Sequence, residues 1–531
     1  MRLSILCGLI SSASIMAGQL IGRVVDSETN LPIPSRVYLE TQNGESLTVS
    51  SIGEDSSAVV YEVERGKGKE IHTTLSAHPF TANVDAGSYR LIVERGKEYT
   101  PSTQIVEVND SRTEVTVKLD RWINMQERGW YSGDTHVHRE IADLPNLQLA
   151  EDLNVALPLT YWVREFRSKP LGDSGPNAAP QPSATLIELD SNHVIWPINT
   201  EYEIFTVDKK QHTLGAVFVL NHHEPFDLLA HPVREVAKET RRQGAILDLD
   251  KHNWPWSMML LPLMDVDLYE LTNNHVWRTE FHYGDWYPDY LPSYLGLKGT
   301  DERYPEDSWI RWGFANYYAL LNCGFDIMPS GGTASGVHPI PLGFGRVYVY
   351  LGERFDFDRW MIGLEKGQSF VTTGPMLEVR FNDHLPGTRF TGRSEEPVSV
   401  SVTGTATSDR PIDLVEVVLN GEVVETFSSG TASQKGNVVS FTANLELEES
   451  SWMAVRCFTT AENGRYRFAH TGPSHVTIPG KPLRPRRDEA SYLVKRVADE
   501  ISRHEGTLPE SALKEYREAL EFYEAKLRSA R

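Results

Sequence analysis

The chain has 531 residues, of which 40% are hydrophobic and 24% charged, and its formal net charge is -21. That balance belongs to a globular protein, and at ~150 residues per domain the length divides into roughly three or four domains. The acidic excess, with no run of Lys and Arg interleaved with aromatics, argues against nucleic acid as a partner, because phosphate-backbone binding takes a basic surface.

Arg2 supplies one positive charge ahead of an apolar run that continues to Ile15-Met16-Ala17. The run is shorter than the ~20 residues of a membrane span and ends in small residues, so 1–18 read as a cleaved export signal and the mature protein as periplasmic or secreted. No later segment is long and apolar enough to cross a bilayer. Cys7 leaves with the signal; Cys323 and Cys457 remain, far apart and with no C-x-x-C spacing, so no disulfide framework is expected.

Residues 19–120 alternate in short runs such as Leu20-Ile21-Gly22-Arg23-Val24-Val25 and Tyr89-Arg90-Leu91-Ile92-Val93, broken by turn residues. This is the pattern of a β-sandwich. Gly22-Arg23-Val24-Val25-Asp26 with Pro32-Ile33-Pro34, and Ala86-Gly87-Ser88-Tyr89, resemble a carboxypeptidase-regulatory-like module, which implies a domain without chemistry of its own.

From 121 to 385 apolar strand-like runs are separated by longer mixed segments. Gly215 to Leu220, Gly244 to Leu249 and Arg346 to Tyr350 are candidate strands, and Asp227 to Gln243 has helical spacing. Strand and helix alternating predict an α/β layer or barrel, with the polar residues gathered at strand ends. From 386 to 480 strands return: Val415 to Leu419 and Val423 to Glu425 flank Asn420-Gly421, a hairpin signal. The tail, 481–531, reads as two helices. Asp488 is expected to cap the first, through about His504. Thr507 with Glu510 is expected to form a capping box for the second, whose Leu513, Tyr516, Leu520, Tyr523 and Leu527 form one docking face.

The stretch that carries chemistry is Gly133-Asp134-Thr135-His136-Val137-His138. On a strand, alternate side chains share a face, so His136 and His138 can both reach one ion. The same segment supplies Glu201, Glu203, His212, His222-His223-Glu224, Asp248-Leu249-Asp250-Lys251-His252, Asn273-Asn274-His275 and His338. A divalent ion needs several deprotonated N and O ligands gathered from different strands, and this supply meets that need.

Together with Gly345-Arg346-Val347-Tyr348-Val349 and Phe370-Val371-Thr372-Thr373-Gly374-Pro375-Met376-Leu377, the first motif resembles the CehA/McbA branch of the PHP (polymerase and histidinol phosphatase) superfamily, which includes carbaryl-hydrolase-like metallohydrolases. The likeness runs from about Trp130 to Gly387. It implies a distorted (β/α)7 barrel flanked by two β-sandwich modules and a C-terminal helical hairpin. It also implies one to three divalent ions, Zn or Mn with Fe as a third choice. Carried over, His136 and His138 match the first motif, Glu203 the carboxylate that bridges ions, His252 the barrel histidine, and Asn274 and His275 a later position loosely. Two places depart. Leu159-Thr160-Tyr161-Trp162 stands where the family ends a strand with Asp-His, and Ser330 to His338 lacks the Asp of the last motif. A mononuclear or reduced dinuclear site is the most these residues support.

A bound ion of that kind can lower the pKa of its water to ~7 and generate hydroxide beside a polarised carbonyl or phosphoryl group. Asp134, Asp250 or His338 are candidates to carry the proton and Arg346 to steady the oxyanion; Asp134 as an orienting group and Arg346 as an ion-pair partner are the plainer alternatives. Tyr161, Trp162, His212, Trp196, Trp254, Trp256, Trp277 and Trp286 are candidates for a pocket wall against a sugar face or an aryl group. Two readings follow. One is an exported metal-dependent hydrolase of an ester, carbamate or phosphoester, acting on a small molecule or glycan; the other is a catalytically silent carbohydrate-binding or cell-envelope scaffold. A serine hydrolase is disfavoured, since no G-x-S-x-G elbow occurs.

Overall fold

A computed structural model of the chain describes residues 17–66, 68–172, 182–279, 290–296, 306–428, 433–435, 437–461 and 464–531. All of the expected export signal but residues 17 and 18, and Trp286 with it, lie outside the described residues. The chain folds into two units, one made of residues up to 62, 71–95 and 99–121, the other of 63–70, 96–98 and 122–531.

In the first unit Ala17–Asp26 lies between Arg112–Leu119, parallel to it, and Phe80–Asp85, antiparallel. A second sheet runs Ala58–Arg65, Gly68–Leu75, Ser35–Thr41, Gly87–Glu94, Ser102–Val108. The alternation of each strand turns Leu20, Val24, Val37, Leu39, Phe80, Leu91 and Val117 into one apolar core between the sheets.

The second unit is mixed α and β, rich in strands and poor in helices. One long sheet follows the order Ile187–Glu188, Val194–Ile195, Val155–Pro158, Trp130–Val137, Arg346–Tyr350, Ser369–Thr372, Tyr466–Thr471, Ser451–Thr460, Leu414–Leu419, Glu422–Phe427. It therefore continues across the expected boundary at 385. A seven-stranded sheet follows Leu171–Gly172, Tyr161–Glu165, Thr200–Val207, Lys210–Leu220, Ile246–Leu249, Leu268–Thr272, Met328–Gly331. The last three strands of this sheet are mutually parallel, as are Trp130–Val137 and Val155–Pro158 of the first. Parallel strands covered on both faces are buried along their whole length, and Trp130–Val137 is buried at every residue. The two sheets meet where the segment after Met328–Gly331 bonds to the end of Trp130–Val137. Ala334 N donates to His136 O at 2.6 Å and His138 N to Ser335 O at 2.8 Å.

The helices Arg487–His504 and Glu510–Arg528 form the expected C-terminal pair. The caps differ from expectation. Asp488 sits inside the first turn, where Glu489 Oε2 accepts from Arg486 N at 2.9 Å. The second helix follows Pro509 with no side-chain cap, because proline's fixed φ already sets the helical entry that Thr507 was expected to make. Cys323 and Cys457 are buried free thiols. Among the described residues no helix is long and apolar enough to cross a membrane.

Candidate metal centre

Asp134, His136 and His138 come from the same side of the Trp130–Val137 strand and its continuation. Asp134 is fully buried and accepts four hydrogen bonds, from Thr333 Oγ1 (2.6 Å), Gly343 N (2.9 Å), His136 N (3.1 Å) and Thr333 N (3.2 Å). Burial pushes its carboxyl up to about 6, against those bonds. With about four acceptor sites on a carboxylate, Asp134 is saturated and ties the His136 backbone to the 332–343 loop.

His136 Nδ1 lies 2.9 Å from Glu270 Oε1. Glu270 leaves Leu268–Thr272 as the one acid in an apolar strand and is fully buried. Burial first and the Asp250 charge second push the Glu270 carboxyl well above the usual range. With His136 Nδ1 at this carboxyl, Nε2 is the nitrogen turned toward His138. That nitrogen is 3.2 Å from His138 Nε2, which is in turn 3.3 Å from Glu201 Oε2. Donors around a tetrahedral zinc, at ~2.0–2.1 Å from the ion, stand roughly 3.3 Å apart. The donor atoms of His136, His138 and Glu201 all lie within 4.8 Å of one another, and so do those of His136, Asp250 and Glu270.

The electrostatics match a cation. Burial keeps His136 and His138 neutral, the latter lowered to about 4, which is the ligating form of imidazole. Burial, joined by the Asp250 charge for Glu201 and the Glu201 charge for Glu203, pushes both glutamates up to about 8. Asp248, bonded to Ser330 Oγ at 2.7 Å, is likewise raised to about 8 by burial. Asp250 stays ionised despite its burial because the Lys251 ammonium faces it. One oxygen each of Glu201, Asp248, Asp250 and Glu270 accepts no hydrogen bond. Buried acids with open lone pairs beside neutral imidazoles are what a divalent cation needs around it.

The centre lies at the base of a cavity of about 430 Å³. Glu201, Glu203 and Phe205 face it from alternate positions of Thr200–Val207, and Gln211 and Thr213 from the next strand. Trp162 and Trp254 form walls, and the Arg164 guanidinium sits 4.9 Å above the Trp162 ring and 5.0 Å from that of Phe205. At the rim His338 Nε2 accepts from Arg65 Nη1 (2.9 Å) and Asn274 Nδ2 (3.2 Å). Gly332 lets the loop pass against the centre: a Cβ there would fall 2.2 Å from His136 Cβ and 2.3 Å from Glu270 Oε1. This close approach is the physical content of the Gly331-Gly332 pair.

The expected site residues separate accordingly. His136, His138, Glu203, His275, His338, Trp162 and Trp254 line the cavity. Asp250 lies behind it, its Oδ2 accepting from Trp254 Nε1 at 2.6 Å. The Glu201 oxygen, rather than that of Glu203, completes the histidine pair. Four expectations change. His252 is buried against Trp309 and Trp312, ring centroids 4.3 and 4.8 Å away, outside both groups of close donor atoms. His212 turns to the opposite face of its strand from Gln211 and Thr213, and its Nε2 meets His504 Nδ1 at 2.8 Å. Trp256 packs in the apolar core, and Tyr161 is buried with its ring 6.0 Å from that of His222; neither lines the cavity. Arg346 is buried away from the cavity, donating to Gly343 O (2.6 Å) and Glu151 O (3.2 Å), so it braces the loop that holds Asp134. Glu270, Lys251, Arg65 and Arg164 carried no expectation. The signal for Glu270 is a lone acid in Leu268-Tyr269-Glu270-Leu271, and for Lys251 its place between Asp250 and His252.

No family model matches the sequence, and neither does any curated protein. Among solved structures the chain is similar to a two-domain protein of Bacteroides vulgatus described as containing a predicted PHP-like metal-dependent phosphoesterase. The identity is 10% and the TM-score 0.29, over 62% of this chain and 90% of that one.

Proposed function

We propose that the chain is an exported metal-dependent hydrolase of the PHP type that cleaves an ester, carbamate or phosphoester bond. The observation that carries this reading is the His136–His138–Glu201 group, whose ligand atoms lie within 4.8 Å of one another on a cavity wall, with His138 Nε2 3.2 Å from His136 Nε2 and 3.3 Å from Glu201 Oε2. A divalent ion held there, Zn or Mn by the chemistry of an imidazole and carboxylate set, supplies Lewis acidity to the scissile group and makes a water acidic near neutral pH. The chain's own residues do the rest. Trp162, Phe205 and Trp254 take the apolar or aryl part of the substrate on their faces. Arg65 and Arg164 stand at the rim as donors for an anionic or carbonyl oxygen. Glu203 holds a proton at its carboxyl and gives it to the departing oxygen or nitrogen. Asp134, through the His136 backbone, and Glu270, through Nδ1, fix the ligand imidazole so that it does not reorganise during the reaction.

The test is elemental analysis of the purified protein, dialysed without chelator, beside the His136→Ala/His138→Ala double variant. A panel of aryl esters, carbamates and phosphoesters is assayed alongside. Bound metal and hydrolysis that both vanish in a folded double variant are expected. Wild-type protein that takes up no Zn, Mn or Fe at excess would sink the reading.

A further inference from the structure

The two groups of close donor atoms share His136, and a neutral imidazole has one lone pair to give. Its Nδ1 lies 2.9 Å from Glu270 Oε1 and its Nε2 3.2 Å from His138, so a lone pair given to the first group through Nε2 leaves Nδ1 with the proton and nothing to give the second. The second group is thereby reduced to two carboxylates, Asp250 and Glu270. Beside them is the Lys251 ammonium, in direct contact with Asp250 Oδ2. Lys251 is 3% exposed and Asp250 and Glu270 are fully buried. Burying an ammonium is costly unless it is paired, and a lysine is almost never so enclosed without such pairing. Its Nζ lies 4.8 Å from the centroid of the Trp254 ring, while Trp254 Nε1 donates to the same Asp250 oxygen. The ammonium is thus held between Trp254 and Asp250.

Resting on the reading of His136, His138 and Glu201 as a metal site, we propose that the centre holds a single divalent ion. The Lys251 ammonium is a resident cation in the second position, the one framed by Asp250 and Glu270. Lysine supplies there the positive charge that a second ion brings to a dinuclear centre, without coordination geometry and without exchange with solvent. Because Lys251 also lines the cavity, its charge is offered to the substrate there. Asp250 and Glu270 then act as positioning residues, one for Lys251 and one for His136.

The test is metal stoichiometry per chain, by elemental analysis after equilibration with excess Zn2+ or Mn2+ and gel filtration. It is run on wild type, Lys251→Met and Lys251→Arg, each checked for native circular dichroism and melting. One equivalent is expected in wild type and in Lys251→Arg, and two in Lys251→Met, where the vacated acids accept a second ion. Two or more equivalents in wild type, or one in a folded Lys251→Met, overturn the proposal while leaving the metal site intact. Zero equivalents in wild type overturn the metal site itself. If Lys251→Met fails to fold, Lys251→Gln is measured in its place against the same criterion. Failure of both to fold, with wild type tested at one equivalent, leaves the decision to Asp250→Asn/Lys251→Met, which removes the charge imbalance and is expected to hold one ion; two would overturn the assignment.

Discussion

A carboxylate on one imidazole nitrogen raises the basicity of the other, so Glu270 sets how tightly His136 binds an ion although it never reaches the cavity. Replacing Glu270 by Ala is expected to weaken metal binding ~10–100-fold in a chelator competition, while Glu270→Gln, whose amide oxygen still accepts from Nδ1, loses less. Gly332→Ala is expected to do comparable damage, since its Cβ would fall between His136 and Glu270. Ion uptake is also expected to release protons. Glu201 binds a proton up to about pH 8 in the ion-free chain, and a cation at its carboxylate displaces it. Affinity should therefore rise between pH 6 and pH 8; titration calorimetry in buffers of different ionisation enthalpy reads the protons directly, and a pH-independent affinity would count against Glu201 as a ligand. At this scale the sequence was legible where spacing is local. His136 with His138, and Glu201 with Glu203, follow from strand alternation. Glu270 was not, because its partner His136 lies more than a hundred residues away in sequence and an acid in an apolar strand has no local mark of it; nor was Lys251, because nothing beside its neighbour Asp250 marks the pair as buried.

Among the elements, the helix Arg487–His504 was read from the sequence only for its extent and its cap. In the structure Arg496, Glu500 and His504 are buried along it. A helical sequence does not show that polar groups elsewhere will meet its charged residues. Arg496 donates to His252 O at 3.0 Å and Trp254 O at 2.7 Å, fastening the loop that carries Asp250 and Lys251. Arg496→Ala leaves the buried His252 carbonyl without its donor, at about 1–3 kcal/mol, and leaves Trp254 O with only Ser257 N at 3.4 Å. A melting temperature several degrees lower is expected, together with weaker metal binding, whereas a surface variant such as Lys514→Ala should change neither. Glu500 offers a second check. Burial raises its pKa, but bonds from His504 and Arg503 outweigh this and hold it at about 2. Its folded pKa lies below the unfolded value of ~4.3, so its stabilisation is present above that value and is lost as pH falls toward 2. In urea unfolding, Glu500→Gln should be less stable than wild type at pH 7, with the gap closing near pH 2.

For the whole molecule, the broad division into strand-rich and mixed segments was visible in the alternation of short runs. The sheet that passes from Ile187–Glu188 to Glu422–Phe427 was not, because strand order is a property of pairing between distant segments rather than of any one run. The C-terminal helices contribute Leu493, Val497, Tyr516, Ala519 and Tyr523 to the same core as Val155, Phe218 and Leu268. A chain ending at residue 480 is expected to expose that core. It should bind the dye ANS and elute as aggregates in gel filtration, and a monodisperse, dye-silent truncation would show that the helices merely decorate the body.

The fastening of the Asp250–Lys251 loop by Arg496 has a consequence for biosynthesis. His136 emerges early, Glu270 follows after more than a hundred residues, and the loop from Gly332 to His338 must then close against both. The carbonyl of His252 finds its donor only when Arg496 has left the ribosome. On the proposed reading, an ion taken by His136, His138 and Glu201 would therefore gain the fastened Asp250–Lys251 loop beside it late in synthesis.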